Sequence, residues 1–267
     1  MVKLIASDVD GTLVKDGSGT IDPRYYDAIK RLRRCGVLFV AASGRQEISI
    51  RRLFAPVEKI IGSISESGAA VWKEGKVDVL GSIPFSYVQE AVQDIEGMDG
   101  VEYMLTTPEK AYMRDISTGL GRWIIDDYHM DITGCPDGNF PKDGKYTKIA
   151  LYYPEKIDEA TVSFRKKWQG KLHLCFAGNM WLDCVMPGVN KGNALKRIQE
   201  DLGITPEETV AFGDNGNDLE MMQMAGTSYA VATARNEVKA AADGIIPSYN
   251  ENGVLGKLYE ILGELEK

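Results

Sequence analysis

The sequence predicts an α/β fold: a parallel sheet flanked by helices, with a second, smaller α/β unit inserted into it. Three observations lead there. Short apolar runs alternate with helical stretches near both ends of the chain. Those runs are continuous and not alternating, the pattern of strands buried on both faces. Residues 83–184 carry a helix and strand rhythm of their own, with 14 of the 23 aromatic residues. That is too much structure for a loop and enough for a separate small core.

The elements follow in order. Residues 2–7 read as a buried strand ending at Asp8. A helix opens with Asp22 as N-cap and Pro23 at its first position, runs through Cys35 and closes at Gly36. Residues 37–42 form a second apolar strand. The Lys73-Glu74-Gly75-Lys76 turn joins 70–72 to 77–80 as a hairpin. In the insertion, segments 87–95, 101–105, 111–113, 120–128, 148–153, 160–168 and 172–176 supply the structure. The first rhythm then returns. Residues 190–201 form a helix, 205–208 a capped turn, 210–212 a strand and 218–225 a helix, and 229–231, 237–242, 245–246 and 254–262 continue the alternation. Residues 1–82 and 185–267 therefore make one domain and 83–184 the other, with no internal repeat or low-complexity segment.

A chain of 267 residues accommodates one or two domains. Its 44% hydrophobic and 26% charged content is that of an ordinary globular protein. A net charge of -8 and a pI near 5.0 disfavour nucleic acid and anionic membranes as partners. An anionic substrate would need a local correction to that field. The opening residues lack a signal-peptide pattern, and no apolar run has membrane-spanning length. Cys35, Cys135, Cys175 and Cys184 are widely spaced, which fits reduced thiols and a cytoplasmic protein better than disulfides or zinc.

Four segments carry candidate chemistry. Asp8-Val9-Asp10-Gly11-Thr12 follows the first strand, with two carboxylates one residue apart and a glycine that lets the chain turn. Taken alone, Asp-Gly is also an everyday turn. Ala42-Ser43-Gly44-Arg45 ends the second strand. Its hydroxyl and glycine-turn amides make a phosphate-sized anion site, or an ordinary serine cap. Lys191, in the first turn of the 190–201 helix, is a cation beside the positive end of the helix dipole, where it needs an anionic partner unless it is simply exposed. Gly213-Asp214-Asn215-Gly216-Asn217-Asp218 packs two carboxylates and two amides into one strand-to-helix turn. Its spacing fails as a calcium loop, because glycine stands where the third-position ligand belongs.

All four fall at strand C-termini or at a helix start after them, the edge where open α/β sheets place ligands. Their convergence would crowd Asp8, Asp10, Asp214 and Asp218. Each pair of carboxylates about 4 Å apart costs roughly 4 kcal/mol at an effective dielectric of 20. That calls for a cation, and an all-oxygen site with an incoming phosphate favours Mg²⁺.

In this order the segments resemble the haloacid dehalogenase superfamily of phosphatases, specifically the Cof-type subfamily with a large α/β cap (type IIB) inserted in a Rossmann-like core. The residues that carry the resemblance are LIASDVDGTL at 4–13, Ser43, Lys191 within PGVNKGNAL at 187–195, GDNGNDLEMM at 213–222, and the later AVATARNEVKAAAD and ENGV. The cap matches in pattern only. The resemblance implies that Asp8 attacks phosphorus and becomes an aspartyl phosphate, while Asp10 protonates the leaving alcohol and then deprotonates water. It implies that Asp8, the Asp10 carbonyl and Asp214 hold Mg²⁺. Ser43, the Gly44 and Val9 amides, Lys191 and Asn217 would bind phosphoryl oxygens, and Asp218 would orient Lys191 or water on the metal. Serine stands where threonine is commoner in the family, which keeps the hydroxyl. The expected function is hydrolysis of a small phosphorylated metabolite such as a sugar phosphate. His129 and His173, both in the insertion, make histidine phosphotransfer improbable. A phosphomutase and a non-catalytic phosphosugar sensor are the alternatives, and a dinucleotide-binding domain fails for want of Gly-x-Gly-x-x-Gly after the first strand. Arg114, Arg122, Trp123 and Lys148 are candidates to contact the leaving group.

Overall fold

A computed structural model describes residues 1–73, 75–126, 130–177 and 179–267. Glu74 in the expected hairpin turn, the last two positions of the 120–128 segment, and His129 lie outside the described residues.

The strands in chain order are β1 (Leu4–Asp8), β2 (Leu38–Ala42), β3 (Gly62–Ser65), β4 (Ala70–Lys73), β5 (Lys76–Val79), β6 (Glu102–Thr106), β7 (Ala111–Met113), β8 (Ile132–Gly134), β9 (Lys148–Tyr152), β10 (His173–Ala177), β11 (Trp181–Val185), β12 (Thr209–Gly213), β13 (Thr227–Val231) and β14 (Gly244–Ile246). They form an eight-stranded sheet in the order β14-β13-β12-β1-β2-β3-β4-β5 and a six-stranded sheet in the order β10-β11-β9-β6-β7-β8. From β14 to β3 neighbouring strands are parallel. β4 and β5 close that edge as an antiparallel hairpin.

β1 and β2 are buried along their whole length, as strands covered on both faces must be. The helix Arg24–Arg34 covers one of those faces with Tyr25, Ala28, Ile29 and Leu32, spaced i, i+3, i+4, i+7. Burying a side chain such as Ile29 or Leu32 contributes about 1.5–3 kcal/mol. The helix starts one residue later than the capping pattern suggests. Pro23 takes the N-cap position, yet the Asp22 carboxylate still accepts the Arg24 N–H at 2.9 Å.

In the six-stranded sheet the period-two alternation separates two roles. Tyr103, Leu105, Ile149, Leu151, Leu182 and Cys184 share one core with Val88, Ala91, Val92 and Ile95 of the helix Phe85–Glu96 and with Phe164 and Trp168 of the helix Val162–Trp168. The intervening residues of the same strands, Met104, Thr106, Lys148, Ala150, Trp181 and Asp183, point the other way. Five of them, all but Thr106, line a cavity against the carboxyl ends of β1, β2 and β12.

That end is level. Asp8 pairs with Ala42 in the β1–β2 register, and Ser7 pairs with Phe212 across β1–β12. The loops that leave these three strands carry Asp8–Asp10, Ser43–Arg45 and Asp214–Asp218, so parallel register alone brings three distant segments together. The helix Lys191–Leu202 delivers the fourth. Asn190 caps it by accepting the Asn193 N–H at 2.7 Å.

Candidate active site

Lys191 is fully buried, and its Nζ lies 2.6 Å from Asp8 Oδ1 and 2.6 Å from Asp218 Oδ1. Burial alone would push this ammonium toward neutrality. The Asp218 and Asp8 carboxylates outweigh it, and the affinity of Lys191 for its proton is raised. The expectation that Lys191 needs an anionic partner is met twice over. Asp218 is anchored in turn, since its Oδ2 accepts the backbone N–H groups of Asp214 and Asn215 at 3.0 Å each.

Asp8 sits at the end of β1 and is nearly sealed from solvent. Burial, then the charge of Asp218, raise its carboxyl well above the ordinary range, against the opposing pull of Lys191. Its second oxygen, Oδ2, is buried without a hydrogen-bonding partner. Asp214 is pushed to about 7, again by burial first and Asp218 second. Thr12 donates its hydroxyl to Asp214 Oδ1 at 3.1 Å. Gly11 permits this approach. Its φ is +85°, and a Cβ there would stand 2.4 Å from Asp214 Oδ2. One carboxylate oxygen from each of Asp8, Asp214 and Asp218 falls within a 4.8 Å cluster.

A second group lies alongside. Arg45 grips Asp10 with a two-pronged fork, Nε to Oδ2 at 2.8 Å and Nη2 to Oδ1 at 2.6 Å. The same Nη2 donates to the Ser18 carbonyl at 2.9 Å. Asp10 also accepts the Gly17 N–H at 3.0 Å and the Ser43 hydroxyl at 3.4 Å. Ser43 Oγ accepts the Arg45 N–H at 3.1 Å, which fixes the turn.

Asp8, Asp10, Ser43, Gly44, Asp214 and Asn217 all line one cavity of about 490 Å³. Lys191, Asp218 and Val9 stand behind that wall, buried. Val9 spends its carbonyl on the Leu13 and Val14 N–H groups. Asn217 Oδ1 is buried and unpartnered. Of the four candidate leaving-group contacts, Trp123 and Lys148 line the cavity. Arg114 and Arg122 do not: Arg114 pairs with Glu96 at 3.5 Å, and Arg122 donates to the Ser117 carbonyl. Sequence reasoning gave Arg45 no role, although an arginine directly after Ser43-Gly44 in an acidic chain was a usable signal. Thr12, Asp183 and Glu66 left no such trace.

Comparison with known proteins agrees in kind. The profile of the haloacid dehalogenase-like hydrolases matches residues 5–258. A similar curated protein is the 5-amino-6-(5-phospho-D-ribitylamino)uracil phosphatase YbjI of Escherichia coli (strain K12), 28% identical over 98% of this chain and 96% of that protein. A crystal structure from Eubacterium rectale superposes with a TM-score of 0.87 at 35% identity, over 97% of this chain and 99% of the other. The HAD subclass IIB sugar phosphatase BT4131 shares the fold, with a TM-score of 0.82 at 21% identity over 97% and 99% of the two chains.

Proposed function

The chain belongs to the haloacid dehalogenase-like hydrolase family and is a phosphatase, and within that class we propose a Mg²⁺-dependent enzyme that hydrolyses small phosphorylated metabolites, sugar or polyol phosphates, through an aspartyl phosphate on Asp8. The observation that carries this reading is the split environment of Asp8. Lys191 holds one oxygen, and the other has no partner at the wall of the cavity.

The donor set suits a hard divalent cation: oxygen ligands only, two more carboxylates than ammonium groups, and an orphaned carboxylate oxygen. Asp8, the Asp10 carbonyl and Asp214 would hold Mg²⁺. When bound, it would neutralise charge on the transferring phosphoryl group. Asp8 Oδ2 forms the bond to phosphorus as the bond to the leaving oxygen breaks. Asp10 gives that oxygen its proton, for which it must release part of the Arg45 fork. Water then attacks phosphorus and surrenders a proton to Asp10, and cleavage of the phosphorus bond to Asp8 frees phosphate and regenerates the carboxylate. Ser43, the Gly44 and Val9 amides, Asn217 and Lys191 bind the phosphoryl oxygens, with Asp218 fixing Lys191.

The six-stranded unit, residues 83–184, is the cap. Trp123 and Trp181 in the cavity wall stack with centroids 6.2 Å apart, a surface suited to a leaving group that ends in a flat ring. YbjI, by its name, acts on a ribityl phosphate joined to such a ring. Free thiols at all four cysteines, and no helix among the described residues long and apolar enough to cross a membrane, support a cytoplasmic enzyme. A panel of phosphorylated metabolites, with and without chelator, tests the function. The expected result is Mg²⁺-dependent phosphate release. Undiminished release in chelator, or isomerised sugar phosphate as the sole product, would contradict it.

A further inference from the structure

Where the six-stranded sheet meets the catalytic sheet lies a buried ionic cluster that reaches the Ser43–Gly44–Arg45 turn and, among the described residues, bonds to neither Asp8 nor Asp10. Lys148 of β9 donates from Nζ to the Gly44 carbonyl at 2.6 Å and lies 3.4 Å from Asp183 Oδ2 and 3.5 Å from Glu66 Oε2. Asp183 Oδ2 accepts the Ser67 hydroxyl at 2.7 Å, and Glu66 Oε2 accepts the Thr106 hydroxyl at 2.8 Å. Every one of these contacts except that between Lys148 and Asp183 joins the two units. Lys148, Thr106 and Asp183 come from the six-stranded sheet, whereas Gly44, Glu66 and Ser67 follow β2 and β3. The charges are sealed: all three ionic side chains are at most 7% exposed. Burial alone would lower the proton affinity of Lys148, but Asp183 and Glu66 more than restore it, so the ammonium stays charged.

Glu66 and Ser67 adopt φ of 52° and 57°, left-handed backbone that residues with a Cβ rarely accept. Glu66 Oε1 is buried with no partner. Strain and an unpaired buried oxygen persist together only where the surroundings over-determine them. Here the surroundings are two: the Arg45 and Ser43 carbonyls, which accept the Glu66 and Ser67 N–H groups at 3.0 and 3.1 Å, and the Thr106, Lys148 and Asp183 side chains of the cap.

The contact on Gly44 links this cluster to the reaction. One peptide unit contains the Gly44 carbonyl and the Arg45 N–H. Lys148 holds its oxygen, and Ser43 Oγ holds its N–H at 3.1 Å. Its orientation therefore sets the direction of the Ser43 hydroxyl and the start of the Arg45 side chain that grips Asp10. We propose that Lys148 is a positioning residue: seating of the cap sheet brings its ammonium onto the Gly44 carbonyl and so aligns the Ser43–Gly44–Arg45 turn for phosphoryl binding. This rests on the phosphate-binding role given above to Ser43 and Gly44.

The test compares wild type, Lys148→Met, Lys148→Arg and Ser67→Ala. It measures kcat/KM for a ring-bearing polyol phosphate and for acetyl phosphate, inhibition by orthovanadate, the Mg²⁺ concentration for half-activation, and Tm. Loss of a charged hydrogen bond predicts that Lys148→Met lowers kcat/KM by about 10- to 100-fold. Acetyl phosphate should suffer equally, although it is too small to reach the cap wall. Orthovanadate should bind more weakly, half-activation by Mg²⁺ should not move, and Lys148→Arg should recover part of the loss. A loss confined to the larger substrate would overturn the proposal, since Lys148 would then be contacting the leaving group. A lower Tm with unchanged kcat/KM per folded molecule would overturn it too, in favour of a purely structural role. Ser67→Ala removes one crossing hydrogen bond without unpairing a charge, and it decides the matter if Lys148→Met does not fold. A several-fold loss shared by both substrates supports the proposal, and wild-type kinetics contradict it. A wild-type protein inactive on both substrates would instead bring down the phosphatase mechanism, and this inference with it.

Discussion

Asp8 and Asp214 are carboxylates whose protons the folded chain holds more tightly than an unfolded chain would, chiefly because both are buried. Their neutral forms contribute stability that is fully present below the ordinary carboxylate value of 3.8 and is lost for Asp214 as pH rises through about 7. The Tm of metal-free protein should therefore fall between pH 4 and pH 8, roughly. Mg²⁺, which binds the ionised pair, should restore more of it at pH 8 than at pH 5. A Tm that rises steadily over that range, or an equal Mg²⁺ shift at both ends, would contradict the buried-carboxylate arrangement. Removing the cation at the centre should also be costly. Lys191→Met leaves Asp8 and Asp218 facing each other in a sealed site, with an expected loss of about 3–5 kcal/mol by denaturant unfolding. Asp8, Asp10, Ser43, Lys191 and Asp214 were legible in the sequence because each stands beside a strand end or helix start. Arg45 was marked only by its place after Ser43-Gly44, and its grip on Asp10, like the bond from Thr12 to Asp214, was not legible because it depends on which neighbour the fold supplies.

At the level of elements, the parallel strands β1, β2 and β12 and the helices Arg24–Arg34 and Lys191–Leu202 could be read within a few residues, since continuous apolar runs and capping residues mark them. β3 could not. Its sequence Gly-Ser-Ile-Ser looks like a loop, yet every residue in it is buried, and its Ser63 hydroxyl bonds Glu47 Oε2 at 2.5 Å. The 160–168 segment is broken at Thr161, whose hydroxyl returns to the Ile157 carbonyl at 2.6 Å and competes with helix continuation. The β1 loop offers a direct test of element geometry. Gly11→Ala must hold a left-handed backbone, which costs about 1–2 kcal/mol, and must also displace Asp214. Titration with Mg²⁺ should show a higher half-activation concentration for this variant. An unchanged value would mean that the loop does not set the position of Asp214.

At the scale of the whole molecule, two sheets divide the labour. The eight-stranded sheet gathers polar and charged groups from segments more than 200 residues apart, as the bond between Thr12 and Asp214 illustrates, and the six-stranded sheet roofs them with an aromatic wall. The aromatic excess falls in 83–184, the stretch that supplies nearly all of the six-stranded sheet. Which aromatics reach the cavity was not legible, because alternation assigns a face only once the partner strands are known. Trp181→Ala should lower kcat/KM for a ring-bearing phosphate about tenfold, from the usual size of an aromatic contact, and leave acetyl phosphate unaffected. Equal losses on both would remove the wall from substrate recognition. The claim on which everything else depends is that phosphate passes through Asp8. Rapid acid quench of the Mg²⁺-loaded enzyme with phosphorus-labelled substrate, followed by peptide mapping, tests it most directly. Label should appear on the peptide containing Asp8, accumulate further in Asp10→Asn, and be absent from Asp8→Asn. Turnover with no protein-bound label, or label on another residue, would contradict it.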